Sequence, residues 1–222
     1  DSNPDISAWV SYKAGVNQAE TGINKFIGNA TEANVKEQLV IEQKILASGD
    51  MVNIITNQFG QLTPAIAAGS MAVASLPVTI GTTATVGLAM LVRAGVVWAT
   101  ASTALSMDHY SRLDAQGVNK EILAYAAVAR GTMTGLEIAL PIFRSTSILQ
   151  IMALNGGGNL LIGQLSVAVQ NEVLKAYPEL QREQFNTANM TVDGLLGAGL
   201  GLLFGRIKMR SAPVEGVSST EV

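Results

Sequence analysis

The sequence predicts an all-α protein, a helical bundle in which amphipathic N-terminal helices surround Gly/Ala-rich apolar helical hairpins. Apolar residues recur at alternating spacings of three and four along the first 30 residues, which is the helical period. Alternation at period two is absent over any useful length, so no strand is predicted. Further along, long runs of small and apolar residues carry almost no charge, so their helices lack an ordinary water-facing side.

The first predicted helix has a narrow apolar seam, which we expect to face the core. The seam consists of Trp9, Tyr12, Val16, Ala19, Ile23, Phe26 and Ala30. The positions expected to face solvent are Lys13, Gln18, Glu20 and Lys25.

Turn and capping residues delimit the next two helices. Gly28 and Asn29 interrupt the first pattern, and Thr31 is a suitable N-cap for a second helix. The second helix is predicted to end at Ser48 and Gly49, after which Asp50 is a plausible N-cap for a third.

Charge is distributed in blocks along the remainder of the chain. Residues 51–92, 145–171 and 194–205 contain no charged side chain. Pro64 and Pro77 are predicted to break the first of these stretches. Residues 78–107 are long enough to cross a bilayer, which takes about 20 apolar residues. Arg93 at their centre would cost at least about 2.5 kcal/mol in lipid, so this segment is a poor simple membrane anchor.

The second uncharged stretch contains three consecutive glycines, Gly156, Gly157 and Gly158, between two asparagines. Glycine triplets disfavour helix continuation, so we predict a tight reversal here. The two arms are too short to span a membrane singly. A short hairpin that dips into one leaflet and a hairpin buried in the protein core both fit.

The third uncharged stretch places Gly197, Gly201 and Gly205 four residues apart on one helix face. Glycine at this spacing allows close approach of a second helix, as small residues do in lipid. The basic residues that follow, predicted to contact lipid headgroups, are Arg206, Lys208 and Arg210.

A carboxylate, an imidazole and a phenol are adjacent in the sequence only at Asp108, His109 and Tyr110. These three residues lie where charged side chains become frequent again after an uncharged run. We predict an interhelical turn here. Sequence neighbours do not make a catalytic dyad, which needs groups brought together by the fold. The alternative hypothesis is a pH switch, in which protonation of Asp108, His109 and Asp114 changes the charge of a hairpin tip.

Composition excludes several function classes. The chain has no Cys, a single His and a net charge of -3, so it lacks disulfides, thiol chemistry, His-rich metal sites and an overall basic surface for nucleic acid. It contains no phosphate-binding loop and no familiar catalytic motif, and no cofactor is predicted. The chain gives no positive sign of an enzyme. The glutamates at positions 20, 42, 137 and 172 are widely separated and form no recognisable constellation.

We expect three regions: an amphipathic helical region over 1–60, an apolar helical core over 61–210 that is a candidate for membrane insertion, and a flexible tail over 211–222. In composition and layout the chain is similar to pore-forming and translocation domains of bacterial toxins and to phage proteins ejected into a cell envelope. The predicted function is therefore a membrane-inserting module with a lipid partner, secreted or membrane-associated. Its ends suggest a processed piece of a larger polypeptide. The alternative is a soluble all-α assembly protein whose apolar helices are buried in a homo-oligomer.

Overall fold

A computed structural model describes residues 7–76, 83–139 and 147–209, and these residues confirm the predicted all-α bundle. They form seven α-helices and one turn of 3₁₀-helix at Pro178–Leu180, and they include no β-strand. The helices are α1 (Ala8–Phe26), α2 (Glu32–Ala47), α3 (Met51–Ala74), α4 (Thr83–Ala115), α5 (Lys120–Ala139), α6 (Ile148–Val173) and α7 (Thr187–Met209).

The predicted starts of α2 and α3 are confirmed by their caps. Thr31 Oγ1 accepts a hydrogen bond from the backbone N–H of Asn34 at 3.3 Å, and Asn34 Oδ1 accepts from the N–H of Thr31 at 2.9 Å. At the start of α3, Asp50 Oδ1 accepts from the N–H of Val52 at 2.9 Å. These bonds satisfy backbone donors that have no partner within the helix.

Two predicted breaks lie inside continuous helices. Pro64 does not end α3, which continues to Ala74, and α1 packs against the turns that precede this proline, where Tyr12 Oη lies 3.1 Å from Thr63 Oγ1. Pro77 lies outside the described residues. Asp108, His109 and Tyr110 are in the last third of α4 and form no interhelical turn.

The predicted reversal at Gly156, Gly157 and Gly158 is also wrong, since α6 passes through all three glycines without a break. The intrinsic cost of glycine in a helix is offset here by tertiary packing. A Cβ at Gly156 would come within 3.0 Å of the Gly194 carbonyl oxygen on α7, whereas Gly157 faces open space.

The most extensive helix contacts in the described part of the chain form three pairs. The pairs are α1 with α3, α4 with α5, and α6 with α7. The long helix α4 also packs against α1, α2 and α3, and α6 packs against α5. The boundary predicted between the amphipathic region (1–60) and the apolar region (61–210) falls inside α3, so one helix contains parts of both regions.

Glycines bring the backbones of the paired helices into contact. A Cβ on Gly15 of α1 would overlap the carbonyl oxygen of Asn57 on α3, and a Cβ on Gly60 would overlap the carbonyl oxygen of Tyr12. The close approach of α1 and α3 therefore requires a residue without a side chain at both positions.

Glycines also make the close contacts within the other two helix pairs. Gly131 and Gly135 of α5 lie against serine side chains of α4. Gly197 of α7 lies against the carbonyl oxygen of Asn155, and a Cβ at Gly201 would be 2.6 Å from Asn155 Nδ2. Both predicted glycines therefore face α6 within the same chain. Gly205 lies in the last turns of α7.

The predicted orientation of α1 is partly wrong: Ala19 of the seam is buried and Glu20 is exposed as expected, but the two ends of the seam and Gln18 are not on the predicted sides. Trp9 is 61% exposed and Phe26 is 48% exposed, whereas Gln18, expected to face solvent, is 2% exposed. The buried face of α1 consists of Ser11, Gly15, Gln18, Ala19 and Gly22. Small residues occupy it because α3 and α4 approach too closely for the bulky seam to fit.

Apolar contacts form two modest clusters rather than one large core. One joins α4, α5 and the end of α6 around Leu113, Leu123 and Leu174. The other joins α3, α4 and α5 around Ala65, Leu105 and Ile138. Between these clusters the interior is lined by polar side chains, which form the site described below.

Two glycines of α7 provide a matched test of the packing. We expect Gly197→Ala to destabilise the fold by about 1–3 kcal/mol, because its methyl group would overlap α6. Gly199→Ala, two residues away in open space, should stabilise it by up to about 1 kcal/mol, since alanine favours the helix. Urea unfolding measures both, and equal effects would contradict the proposed contact.

Candidate functional site

A half-open cavity of about 560 Å³ lies between the helices and is lined largely by polar and charged side chains. Helices α2 to α7 and the connection between α6 and α7 all contribute to its walls. The charged and imidazole groups at its walls include Glu42, His109, Arg112, Arg130, Glu137 and Arg182. A polar cavity that collects charges from helices distant in sequence is the strongest candidate for a functional site.

Arg112 binds two carboxylates and so links α4 to α2 on one wall of the cavity. Its Nε donates to Asp108 Oδ1 at 2.9 Å within α4, and its Nη1 donates to Glu42 Oε2 of α2 at 2.6 Å. Gln61 Nε2 donates to the other Glu42 oxygen at 2.9 Å, which extends the network to α3. Burial disfavours the charged guanidinium, but the Asp108 and Glu42 carboxylates outweigh it and raise the pKa of Arg112.

Arg130 and Arg182 line the same cavity but contact neutral amides. Arg130 Nη1 donates to Gln170 Oε1 at 3.2 Å, and Arg182 Nη2 donates to Asn189 Oδ1 at 3.1 Å. Neither arginine forms an ion pair with a carboxylate among the described residues. Burial, and then the charge of Arg182, lowers the pKa of Arg130 to about 10.

Two acidic groups face these arginines. Glu137 of α5 is 4% exposed, and burial, together with the nearby Asp193 carboxylate, raises its pKa to about 8. Asp193 of α7 lies against Gly163 of α6, where a Cβ would overlap its carboxylate. Burial raises the pKa of Asp193 to about 6, although Arg182 and Arg130 oppose the shift.

His109 points into a cationic environment. Its Nε2 is buried and has no hydrogen-bond partner within the described ranges. Burial, followed by the charges of Arg130, Arg112 and Arg182, lowers the pKa of His109 well below 6.5. The imidazole is therefore neutral at physiological pH.

The structure separates the three residues of the hypothesised pH switch. Asp108 is bonded to Arg112, His109 lines the cavity, and Asp114 lies 3.6 Å from Lys25 Nζ of α1. All three are in α4: Asp114 is in its last turn, beside the connection to α5, whereas Asp108 and His109 lie further back within the helix. Arg206 and Lys208 lie in the last turns of α7, and Arg210 lies outside the described residues.

The cavity residues are the main feature that the sequence did not reveal. Glu42 and Glu137, which looked unrelated in the sequence, line the same cavity. A detectable signal was present in α6, where polar residues recur at the helical period on its buried face. The buried polar residues of α6 are Asn155, Asn159, Ser166 and Gln170.

The chemistry available here is ionic and hydrogen-bonding. No group of His, Asp and Glu in the described part of the chain is arranged to hold a metal ion. The cavity instead presents guanidinium donors, neutral amides and carboxyl groups with raised pKa values. Such a lining suits the binding of a polar or charged species.

The raised pKa of Glu137 has a consequence for stability. Between its unfolded pKa of 4.5 and its folded pKa of about 8, the folded chain retains a proton that the unfolded chain has lost, so stability falls as pH rises. Over this range the unfolded chain loses the proton of His109, whose ordinary pKa is 6.5, whereas the folded chain has already lost it, so this group raises stability by roughly 0.4 kcal/mol between pH 6.5 and 8. Asp193 is already largely ionised, so Glu137 dominates among these three groups.

We therefore expect the wild-type chain to lose roughly 1–2 kcal/mol of unfolding free energy between pH 6.5 and 8 through this group. Glu137→Gln should remove that component and flatten the profile, as measured by urea unfolding at several pH values. The exposed Glu172→Gln serves as the control. An identical slope in wild type and Glu137→Gln would show that Glu137 does not retain its proton.

No helix within the described ranges combines the length and apolar character needed to cross a membrane. Comparison of the chain with protein families, with curated proteins and with solved structures finds no match.

Proposed function

We propose that the chain is a membrane-inserting module of the pore-forming or translocation class, whose outward apolar helix faces contact lipid. The observation that carries this proposal is the distribution of side chains around α6. Its buried face carries amides, glycines and a serine beside Ile151 and Val167, and its exposed face is mostly leucine with other apolar residues.

The outward face of α6 has the properties of a lipid contact. Leu161 is 72% exposed, Leu165 is 55% exposed and Leu154 is 48% exposed, all on the side opposite the buried amides. Residues 145–171 contain no charge, so no charged group of α6 opposes the transfer of this face from water. Full burial of a leucine is worth roughly 1.5–3 kcal/mol, and these three side chains are about half to three-quarters exposed, so each would contribute part of that on contact with lipid.

Other helices add aromatic residues to the outer surface. Trp9 is 61% exposed, Tyr125 is 74% exposed and Trp98 is 40% exposed. Tryptophan and tyrosine favour the boundary between lipid and water because they combine an apolar ring with a polar group. Trp98 Nε1 already donates to the Thr132 carbonyl oxygen at 3.2 Å, which leaves its ring as an apolar surface.

The interior also suits a bundle in contact with lipid. Lipid provides no hydrophobic force between helices, so membrane helices associate through small residues and hydrogen bonds. The pairs α1–α3, α4–α5 and α6–α7 use such contacts. Because no described helix is suited to span the membrane, the initial contact in this proposal is α6 lying along the interface with its leucine face in the acyl region. The basic segment of Arg206, Lys208 and Arg210 would then contact anionic headgroups.

Flotation with vesicles tests the proposal directly. Wild-type chain should float with phosphatidylglycerol-containing vesicles, and the double variant Leu161→Glu/Leu165→Glu should reduce the bound fraction at least tenfold, because carboxylates oppose burial in lipid. The matched control is Val40→Glu/Val52→Glu, which alters two comparably exposed apolar residues on α2 and α3 that do not line the cavity. It should float as wild type does.

Size measurement separates this function from the alternative assembly protein. An assembly subunit would form a stable large oligomer in plain buffer, would fail to float, and would become monomeric in the Leu161→Glu/Leu165→Glu variant. That pattern would reject the membrane proposal. Circular dichroism confirms that the variants retain helix content, and release of an encapsulated dye shows whether bound protein makes a pore.

A further inference from the structure

We propose that the cavity binds a phosphate-bearing anion between Arg130 and Arg182. This site is independent of the proposed lipid contact, since it is made by the inward faces of the helices. It is supported by the placement of the two arginines, by their lack of carboxylate partners and by further donors on the same walls.

The two guanidinium groups reach the cavity from different parts of the fold. Arg130 lies in the middle of α5, and Arg182 lies in the connection that follows the 3₁₀ turn after α6. Each donates to one neutral amide, that of Gln170 or Asn189. A guanidinium carries five N–H donors, so both retain donors for a ligand.

The supporting amides are themselves held in place. Gln170 Nε2 donates to Ser166 Oγ at 3.0 Å, and Gln58 Nε2 of α3 donates to Asn189 Oδ1 at 3.2 Å. These bonds fix the oxygen atoms that accept from the arginines. The guanidinium groups are therefore oriented before a ligand arrives, which lowers the entropic cost of binding.

The positive charge of this pair is incompletely compensated. Within residues 7–76, 83–139 and 147–209, neither arginine has a carboxylate oxygen within 4.0 Å. Glu137 faces them, but with its pKa raised to about 8 it is mostly protonated at neutral pH. Asp193 on α7 and the Glu42 carboxylate act on this pair at longer range, and Glu42 is already bonded to Arg112.

Further donors line the same cavity. Arg112 Nη2 is buried without a hydrogen-bond partner among the described residues, and so is His109 Nε2, which donates in the neutral tautomer that carries its proton on that atom. Arginine clusters are typical of phosphate sites because the planar fork donates two parallel bonds to phosphate oxygens. The volume of about 560 Å³ falls within the range of about 300–1,000 Å³ that is usual for small-molecule sites.

Acidic groups limit which anions enter. Glu179 and Glu183 line the cavity from the same connection as Arg182, and Glu183 Oε2 accepts from Asn186 Nδ2 at 3.1 Å. Glu42 is held by Arg112 and Gln61 on the opposite wall. A compact oxyanion that makes paired bonds to guanidinium groups can offset this repulsion, whereas chloride cannot.

Thermal unfolding at pH 7 tests the site, with sodium phosphate compared to sodium chloride at equal ionic strength. We expect phosphate well above its dissociation constant to raise the Tm by about 3 °C or more. Arg130→Gln and Arg182→Gln should each abolish this increment. Lys175→Gln, which alters an exposed cation in an ion pair with Glu172, should keep it.

A second arm uses glycerol phosphate, the soluble part of a lipid headgroup, in place of inorganic phosphate. A larger increment with glycerol phosphate assigns the site to a headgroup, and an equal increment assigns it to free phosphate. Equilibrium dialysis of the wild-type chain with radiolabelled phosphate provides a binding measurement that does not depend on the variants folding. Absence of binding to both ligands, or an increment unchanged in both arginine variants, would overturn the proposal.

Discussion

Contact between helix backbones through glycine is the constraint on which the rest of this structure depends. Gly15 and Gly60 bring α1 and α3 together, and Gly197 and Gly201 bring α7 onto α6. At the closest of these contacts a leucine does not fit, so glycine, serine, alanine and amide side chains occupy them. Leu123, Ile138 and Leu196 are buried beside these contacts, and other large apolar side chains lie on the outer surface.

This packing explains the polar interior. Amide side chains placed between helices must find hydrogen-bond partners there, because an unsatisfied buried polar group is costly. Asn57 Nδ2 donates to the Ser11 carbonyl oxygen at 3.1 Å, and Asn159 Nδ2 donates to the Glu137 carbonyl oxygen at 3.1 Å. Where several such faces meet, the space between them is a polar cavity that accommodates charged side chains, of which Arg112 is the most fully paired.

The outer and inner surfaces therefore have different chemical roles. The leucine face of α6 offers apolar area to a partner outside the bundle, which we propose to be lipid. The walls of the cavity present guanidinium groups, and the Glu137 carboxyl whose raised pKa keeps it protonated at neutral pH, to a small polar ligand. Helix α6 belongs to both surfaces, because Leu161 and Leu165 lie opposite Ser166 and Gln170 on the same helix. A change in its outer contacts would thus act on the element that carries part of the cavity wall.

Local signals in the sequence were sufficient to determine the all-α class, the caps at Thr31 and Asp50 and the glycine spacing in α7, because each depends on residues close together in the chain. They did not determine which face of α1 is buried or whether α6 continues through its glycine triplet, because neighbouring helices offset the local preference. The cavity was likewise decided only by tertiary structure. Glu42, Arg112, Arg130 and Arg182 come from four separate parts of the chain, and no spacing within a single helix encodes their meeting.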